Sequence, residues 1–326
     1  MPRYKLTIAY EGTDFCGWQK QEPLAPWAIA HGAGPQGATE AAPPGDTREV
    51  GLGRKMIEEL PDRPGRVALR TVQHVLERAV SDVVREPIEL VGSSRTDSGV
   101  HARGQVAAFT CSGDESDETH KPGTGWPVSR GVDRLMIAIN GRLPEDCLVT
   151  AAEIVPAEFN PIGDTESKGY SYTFHCAKVR ALFDRRRVHH IWEPLDVALM
   201  REAAARFIGE HDFAAFAAAG HGRLSTVRTV FACDISEPEP QRVRLDISGS
   251  GFLWNMVRII AGTLAEVGRG RMKPERVSEA LANGDRRSAG PTLPPTGLCL
   301  EWIRFGPPGS GRARALPAGP DEGFPD

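Results

Sequence analysis

The chain has 326 residues, of which 40% are hydrophobic and 25% charged, and its 39 basic and 43 acidic side chains give a formal net charge of −4. This composition is typical of a globular protein and excludes disordered, fibrous and coiled-coil classes. No run approaches the roughly 18 apolar residues that span a membrane, and the N-terminus has no apolar leader, so we expect a cytoplasmic protein without membrane contact. The charge balance argues against bulk electrostatic coating of nucleic acid but permits a local basic groove.

The length favours two domains of ordinary size, because single hydrophobic cores stop growing at roughly 250–300 residues. The six cysteines are scattered along the chain, without a CxxC pair or a Cys/His cluster at zinc-ligand spacing. We therefore expect neither a structural metal nor a disulfide framework.

The first elements follow from hydrophobic periodicity. Apolar and polar residues alternate from Tyr4 to Tyr10, which predicts a half-buried strand. Residues 22–70 are rich in Pro, Gly and Ala and predict an inserted surface loop, in which residues 55–60 allow one or two helical turns. A helix follows, since apolar residues recur at helical spacing: Val72, Val75, Leu76, Ala79, Val80 and Val83.

The remainder of the first half alternates strands, loops and a helix. Strands are predicted at residues 88–91, 104–110 and 148–155, a second inserted loop at about 112–130 and a short helix around Leu135, Ile137 and Ile139. The order β-α-β-β-α-β is that of a ferredoxin-like unit. We therefore predict an N-terminal α/β domain over residues 1–156.

The second half again mixes helices and strands. Its predicted elements are a strand at 170–176, a helix capped by Asp196 with Phe207 and Ile208 facing inward, strands at 227–235 and 243–247, helices at 252–267 and 275–282, and a strand at 298–303. We predict a second α/β domain over residues 157–305 and a disordered tail over 306–326. The predicted class is α+β, with two related ferredoxin-like halves whose mostly antiparallel sheets are flanked by helices.

A polar loop between two predicted strands concentrates side chains that could carry chemistry: Arg95, Thr96, Asp97, Ser98 and His101. In one interpretation, Asp97 caps its own turn with Arg95 as a local partner. In the other, Asp97 is a nucleophile or base, and an arginine lowers its pKa and keeps it ionised. The spacing alone leaves both open.

Two further residues are out of place in apolar surroundings. Arg258 lies in the middle of an apolar helix, and a buried guanidinium needs an anionic partner, for which Asp97 is a candidate. Alternatively, Arg258 extends to an exposed strip of the helix. Tyr170 begins a predicted strand just after a turn, where core packing is the simplest role for it.

A basic run lies close to another predicted strand. It consists of Arg185, Arg186 and Arg187, followed by His189 and His190. Such a run is usually a solvated edge, and it equally suits contact with phosphates.

Residues 94–102, with the sequence SRTDSGVHA, are continued by Gly104, Gln105 and Val106 and closely resemble the signature of the tRNA pseudouridine synthase A family. Further matching segments are residues 9–15 (AYEGTDF), 17–19 (GWQ), 72–73 (VQ), 140–146 (NGRLPED), 209–213 (GEHDF), 225–229 (STVRT), 255–258 (NMVR) and 294–298 (PPTGL). The likeness extends from Tyr4 to Phe305, apart from the predicted loops.

The resemblance implies an enzyme that isomerises uridine to pseudouridine in the tRNA anticodon stem-loop, at positions 38, 39 and 40, without a cofactor or metal. By resemblance, Asp97 is the nucleophile, Arg258 keeps it ionised, and Tyr170 contacts the target base and removes its C5 proton. The resemblance leaves open whether Asp97 attacks C6 of the base or C1′ of the ribose. It also implies a homodimer and an active-site cleft between the two halves, which receives a flipped-out uridine. The other substrate contacts are Arg95, His101 and Gln105.

The sequence departs from the family pattern at two positions. Ile162 and Gly169 stand where the family has basic residues. An alternative is therefore a catalytically impaired RNA-binding paralogue of the same fold. A third possibility is an aspartate-nucleophile hydrolase of small substrates, although the sequence has no recognisable phosphate or metal site for one.

Overall fold

The computed structural model describes residues 1–25, 56–59, 63–113, 123–218 and 224–309. These residues form a mixed α+β structure whose strands pair mostly antiparallel. They fall into two compact units. Unit 1 comprises Met1–Val100 and Val106–Ala157, and unit 2 comprises His101–Gln105 and the chain from Glu158 onward.

The described residues of unit 1 form two α-helices and a sheet in the order β6-β1-β5-β4, with β2 and β3 paired separately. Its elements are β1 Arg3–Tyr10, β2 Met56–Glu59, β3 Val67–Leu69, α1 Val72–Val84, β4 Val91–Gly92, β5 His101–Thr110, α2 Val132–Asn140 and β6 Cys147–Val155. The alternation in β1 buries Tyr4, Leu6, Ile8 and Tyr10, as predicted. Helix α1 begins after Thr71, whose side chain accepts a hydrogen bond from the His74 N–H and so caps the helix.

The predicted loop at residues 22–70 is only partly loop. Residues 26–55 and 60–62 lie outside the described residues. Met56–Glu59 pairs antiparallel with Val67–Leu69, so the helical turns expected at 55–60 were wrong. Val67–Leu69 is buried, and burial of such a short apolar run depends on tertiary partners that periodicity does not reveal. In the second predicted loop, residues 114–122 are outside the description and Val128–Arg130 forms a single 3₁₀ turn.

Strand β5 begins three residues earlier than predicted. His101 and Ala102 already pair with Cys299 and Leu300 of the last strand. This partner is about 200 residues away in the chain and is invisible to local pattern analysis. The polar loop therefore ends at Val100, and β5 contributes its first five residues to unit 2 and the rest to unit 1.

Where the structure describes unit 2, it has three α-helices and the strand order β5-β12-β7-β11-β10-β9, with β8 also paired to β7. Its elements are β7 Thr165–Cys176, β8 His189–Ile191, α3 Val197–Ala205, β9 Gly209–Asp212, β10 Val227–Ser236, β11 Arg242–Gly249, α4 Met256–Gly268, α5 Glu275–Asn283 and β12 Leu298–Phe305. The β5–β12 and β7–β8 pairs are parallel. On β11, Val243, Leu245 and Ile247 are buried and alternate with more exposed polar residues.

Two helix boundaries differ from the prediction. Helix α4 begins at Met256 rather than Phe252, because Asn255 adopts a left-handed conformation with φ of 59°, which asparagine tolerates better than most residues. Helix α3 has the predicted N-cap Asp196 and buries Met200, Ala203 and Ala204, but it ends at Ala205, so Phe207 and Ile208 lie beyond it rather than on it. Phe207 is fully buried, whereas Ile208 is 45% exposed, so its predicted inward orientation was wrong.

In the part of the chain that the structure describes, no helix combines the length and the apolar character needed to cross a bilayer. Residues 310–326, the greater part of the predicted disordered tail, lie outside the description.

Candidate active site

Asp97 lies in unit 1, in the loop that connects β4 with β5. The loop closes in a turn in which the Val100 N–H donates to the Asp97 carbonyl oxygen at 3.1 Å. Gly99 has φ of 82°, a conformation that favours glycine. Asp97 is half-buried, while its neighbours Arg95 and Ser98 are exposed. The predicted nucleophile is thus on an ordered turn and retains some solvent-accessible surface.

The last residue of β1 and the segment that follows it hold this loop on both sides of Asp97. On one side, the Tyr10 hydroxyl is 2.7 Å from the Thr96 hydroxyl, and the backbone N–H of Trp18 donates to the Thr96 carbonyl at 3.0 Å. On the other side, the Ser98 hydroxyl donates to the Phe15 carbonyl at 3.1 Å. Tyr10 and Thr96 are both buried, so their hydroxyl pair is shielded from water. We call residues 10–18 the clamp.

Two glycines allow the clamp to approach the loop closely. Gly17 has φ of 89°, and a Cβ built on it would lie 2.7 Å from the Thr96 carbonyl oxygen. A Cβ on Gly12 would overlap the Val100 carbonyl group. Backbone atoms cannot yield as a flexible side chain can, so both positions exclude larger residues. Sequence reasoning used these glycines only as matching motif residues and did not assign them this contact.

The ion pair between Arg70 and Asp146 supports the clamp at Phe15 and Cys16. The Arg70 guanidinium makes a bidentate pair with the Asp146 carboxylate, with both N–O distances 2.8 Å, and lies 4.2 Å from the centroid of the Phe15 ring. The Arg70 carbonyl also accepts from the Cys16 N–H at 2.8 Å. The hydrogen bond to Asp146 raises the pKa of the Arg70 guanidinium. Sequence analysis missed this pair, although Asp146 lies in a segment that matches the family.

Helix α1 is anchored to the same clamp. The N–H groups of Val72 and Gln73 donate to the carbonyls of Gly17 and Trp18, at 3.1 Å and 3.0 Å. These bonds satisfy two donors that a helix N-terminus otherwise leaves without an intrahelical partner. The Gln73 side chain extends the anchoring, since its amide donates to the Leu90 carbonyl at 2.9 Å.

Tyr10→Phe removes one hydroxyl from the buried Tyr10–Thr96 pair and leaves the Thr96 hydroxyl without that partner. We expect the free energy of unfolding to fall by about 1–2 kcal/mol, and kcat for tRNA modification by about tenfold because a loosened loop misplaces Asp97. Urea unfolding and single-turnover kinetics measure the two effects. Ser129→Ala is the control: it removes a hydroxyl from an exposed serine of the Val128–Arg130 turn, outside the clamp and the Asp97 loop, and should change neither quantity. Equal kcat for Tyr10→Phe and wild type would contradict the positioning role of the hydroxyl pair.

His101 and Gln105 lie on β5 within unit 2. His101 is 5% exposed and stands opposite Cys299 of β12, whereas Gln105 has no exposed surface at all. Burial raises the pKa of the Cys299 thiol to about 12. This thiol is therefore protonated at neutral pH and is not a competing nucleophile.

Tyr170 lies on β7 between Leu300 of β12 and Ile247 of β11. Its ring packs edge-to-face against Phe252, with centroids 5.3 Å apart, and its side chain is largely buried. On the same face of β7, the Tyr172 hydroxyl donates to the Pro294 carbonyl at 2.9 Å. Burial raises the pKa of Tyr172, and the charge of Arg258 opposes this shift. Tyr172 is thus a protonated donor that ties the segment preceding β12 to the sheet.

Arg258 is half-buried in the first turns of α4. Its Nε donates to the Leu293 carbonyl and its Nη1 to the Asn255 side-chain oxygen, both at 2.6 Å. The left-handed Asn255 that begins the helix therefore also orients the guanidinium. Arg258 is anchored between the start of α4 and the segment before β12, and the side chain is neither fully buried nor extended into solvent.

The structure thus describes the predicted site residues in two groups. Arg95 and Asp97 belong to unit 1, and His101, Gln105, Tyr170 and Arg258 to unit 2. The pairing of Asp97 with Arg258 stays a prediction, as does the role assigned to each residue.

One of the two departures from the family pattern, Gly169, has a local structural reason. A Cβ on Gly169 would overlap the Trp302 indole, so no larger residue fits there. Arg304 lies 4.6 Å from the centroid of the same indole and brings a cation close to that position. Ile162 is 47% exposed in a turn in which Asn160 Oδ1 accepts from the N–H groups of Ile162 and Gly163 at 3.0 Å.

Among the residues described, no group of three or more His, Cys, Asp or Glu side chains is arranged to hold a metal ion.

Comparison with known proteins identifies relatives over nearly the whole chain. Residues 203–306 match the model of a family described as tRNA pseudouridine synthase. The chain is 36% identical over 305 residues to tRNA pseudouridine synthase A 2 of Clostridium perfringens, an alignment that covers 94% of this chain and 100% of the relative. It is 37% identical to tRNA pseudouridine synthase A of Geotalea uraniireducens and 36% identical to that of Geobacter sulfurreducens, with the same coverage.

Proposed function

Because the chain belongs to the tRNA pseudouridine synthase A family, we propose that it converts uridine to pseudouridine in the anticodon stem-loop of tRNA, at positions 38, 39 and 40. Membership makes the protein a tRNA pseudouridine synthase, an isomerase. The observation that carries the proposal is similarity over 94% of the chain and the full length of relatives that bear this name. The similarity therefore includes both the Asp97 loop and the Arg258 helix.

The reaction is an internal rearrangement of the nucleotide. The bond from C1′ of the ribose to N1 of uracil breaks, the base turns, and a bond from C1′ to C5 forms. The proton lost from C5 is balanced by one gained at N1, so the reaction needs no oxidant, reductant or group donor. It does require a nucleophile that holds the intermediate, and in our proposal this is the carboxylate of Asp97.

The clamp supports this assignment. A carboxylate that attacks one atom must be held in place, because a shift of about 1 Å can cost about 10²-fold in rate. Thr96 and Ser98, the neighbours of Asp97, are both bonded to residues of the clamp. The turn is thus fixed on either side of the proposed nucleophile, and Asp97 itself keeps accessible surface for a substrate.

The residues proposed to assist Asp97 belong to unit 2. Arg258 is our proposed counter-ion for the carboxylate, and Tyr170 the proposed contact to the target base. In support, Arg258 is oriented by two hydrogen bonds of 2.6 Å, and the Tyr170 ring is held against Phe252. A double-mutant cycle of Asp97→Glu, which keeps a carboxylate, and Arg258→Lys tests the pairing: coupled residues give non-additive losses in kcat, and additive losses would refute it.

The strand orders support the proposal of two related halves. In unit 1, the fourth, first, third and second strands of the β-α-β-β-α-β order lie side by side as β6-β1-β5-β4. In unit 2, the same order recurs as β12-β7-β11-β10. Both correspond to the ferredoxin-like pattern. The homodimer implied by the resemblance stays a prediction, which analytical ultracentrifugation can test.

The experiment that tests the proposal is modification of an unmodified tRNA transcript with uridines at positions 38, 39 and 40. Carbodiimide labels pseudouridine and stops reverse transcription, so we expect enzyme-dependent stops at these uridines. A transcript with cytidine at the three positions is the matched control and should give none there. If the wild-type protein produces no carbodiimide-dependent stop in the first transcript, the proposal is wrong.

A further inference from the structure

Several large apolar side chains are exposed close together in the chain in residues 177–192 of unit 2, which comprise the link from β7 to β8, β8 itself and Trp192; we call this segment the β7–β8 connection. The exposed fractions are 76% for Val179, 60% for Leu182, 91% for Phe183 and 72% for Trp192. Single exposed apolar residues are ordinary, but a group of them marks an interaction surface.

The same connection carries concentrated positive charge in a protein whose net charge is −4. From residue 178 to residue 188 there are five basic side chains and one acidic side chain. The acid, Asp184, is already paired with Arg242 at 2.8 Å, and it also lies 4.0 Å from Arg187. Arg185 and Arg187 are exposed. The connection therefore carries an excess of positive charge, because its single acid is shared between Arg242 and Arg187 and cannot balance five basic side chains.

The backbone of the connection is held at both ends. Cys176 and Ile191 are paired across β7 and β8, and the Ala177 N–H donates to the Ile191 carbonyl at 3.1 Å. The rings of His175 and His190 add hydrogen bonds to the carbonyls of Val179 and Ala177, at 2.9 Å and 2.7 Å. Within the connection, Arg185 donates to the Leu182 carbonyl at 3.0 Å. The aromatic and basic side chains are thus displayed from an ordered backbone.

We infer that the β7–β8 connection is an RNA-binding surface in which Phe183 and Trp192 stack on unpaired bases of the tRNA and Arg185 and Arg187 pair with its phosphates. Exposed aromatic rings interleaved with arginines are the combination that binds unpaired nucleic acid. A second copy of this chain is disfavoured as the occupant, because bringing two such segments together places like charges against each other. The inference rests on the proposed function, since it takes tRNA as the partner.

The test compares the affinity of variants of the whole protein for an unmodified tRNA transcript, measured by fluorescence anisotropy at several salt concentrations. Phe183→Ala should weaken binding about tenfold, the usual loss from one base stack. Arg185→Ala/Arg187→Ala should weaken binding and lower the slope of log Kd against log salt by about 1.5, as expected when two phosphate contacts are lost. Both variants alter exposed residues, and equal thermal midpoints verify that they remain folded.

Matched controls come from exposed residues elsewhere in unit 2. Phe231→Ala removes a phenylalanine that is 52% exposed on β10, and Arg276→Ala/Arg287→Ala removes two exposed arginines. We expect both to bind tRNA as wild type does. Unchanged affinity and salt slope in the β7–β8 variants would overturn the inference. So would a wild-type dimer that the β7–β8 variants convert to a monomer with no other change, because the segment would then bind a second copy.

The outcome is separable from that of the proposed function. Pseudouridine formation at saturating tRNA should persist in the β7–β8 variants, since the proposed catalytic residues are unaltered. If the wild-type protein modifies tRNA but these variants bind tRNA as well as the wild type does, the β7–β8 connection is not an RNA-binding surface, and the proposed function stands. If the wild-type protein forms no pseudouridine but the variants still lose affinity for RNA, the proposed function is refuted, whereas RNA binding by the β7–β8 connection stands.

Discussion

Replacing Asp97 with asparagine is expected to abolish pseudouridine formation while tRNA binding persists. Asparagine has nearly the same size and shape as aspartate, so the turn closed by the Val100 N–H and the Asp97 carbonyl can form unchanged. A neutral amide, however, cannot act as the nucleophile that the rearrangement requires. We expect single-turnover rates to fall by at least about 10³-fold, as for other enzymes that lose their nucleophile.

Binding should not weaken in this variant, because removal of a carboxylate removes like-charge repulsion from the RNA phosphates. Carbodiimide mapping of the reacted transcript measures activity, and anisotropy measures affinity. Asp82→Asn, on the exposed side of α1, is the control for a loss of one negative charge in unit 1 and should retain wild-type activity. Wild-type turnover by Asp97→Asn would refute the role assigned to this residue.

Gly12→Ala is expected to disable the protein without altering any residue proposed to touch the substrate. The added Cβ would overlap the Val100 carbonyl group, which belongs to the backbone of the Asp97 turn. Relief of the overlap requires the clamp or the turn to shift, and overpacking of this kind costs about 1–3 kcal/mol. Displacement of Asp97 should lower kcat by about 10²-fold even where the protein stays folded.

Thermal unfolding followed by circular dichroism and single-turnover kinetics below the midpoint separate these two effects. Gly141→Ala is the matched control in unit 1, because a Cβ there meets nothing closer than 3.6 Å and the φ of −66° suits alanine. It should leave both quantities unchanged. A Gly12→Ala protein with wild-type midpoint and kcat would show that the turn tolerates displacement and that the clamp does not position Asp97.

Much of the fold was predictable because local periodicity reports burial directly. The alternation from Tyr4 to Tyr10 and the helical stripe that begins at Val72 both depend on one buried face, and the structure confirms both elements. The Asp196 cap was predictable for a similar reason, since a side-chain oxygen that accepts from the Leu199 N–H needs only its own helix.

Boundaries that depend on distant partners were not predictable. The start of β5 at His101 follows from pairing with Cys299, and the strand at Met56–Glu59 from pairing with Val67–Leu69. The late start of α4 has a different origin. The left-handed Asn255 interrupts the apolar run that begins at Phe252, so the helix starts only at Met256, and the Asn255 side chain accepts a hydrogen bond from Arg258.

The sequence by itself determined the family of the chain and the side chains for which we propose catalytic roles, an aspartate in a polar loop and an arginine in an apolar helix, because side-chain identity is written directly in the chain. Only the tertiary structure decided how the Asp97 turn is held. Tyr10, Gly12, Gly17 and Arg70 act on it through contacts that bring together residues dozens of positions apart. Such contacts depend on the path of the backbone, which no local pattern of side chains encodes.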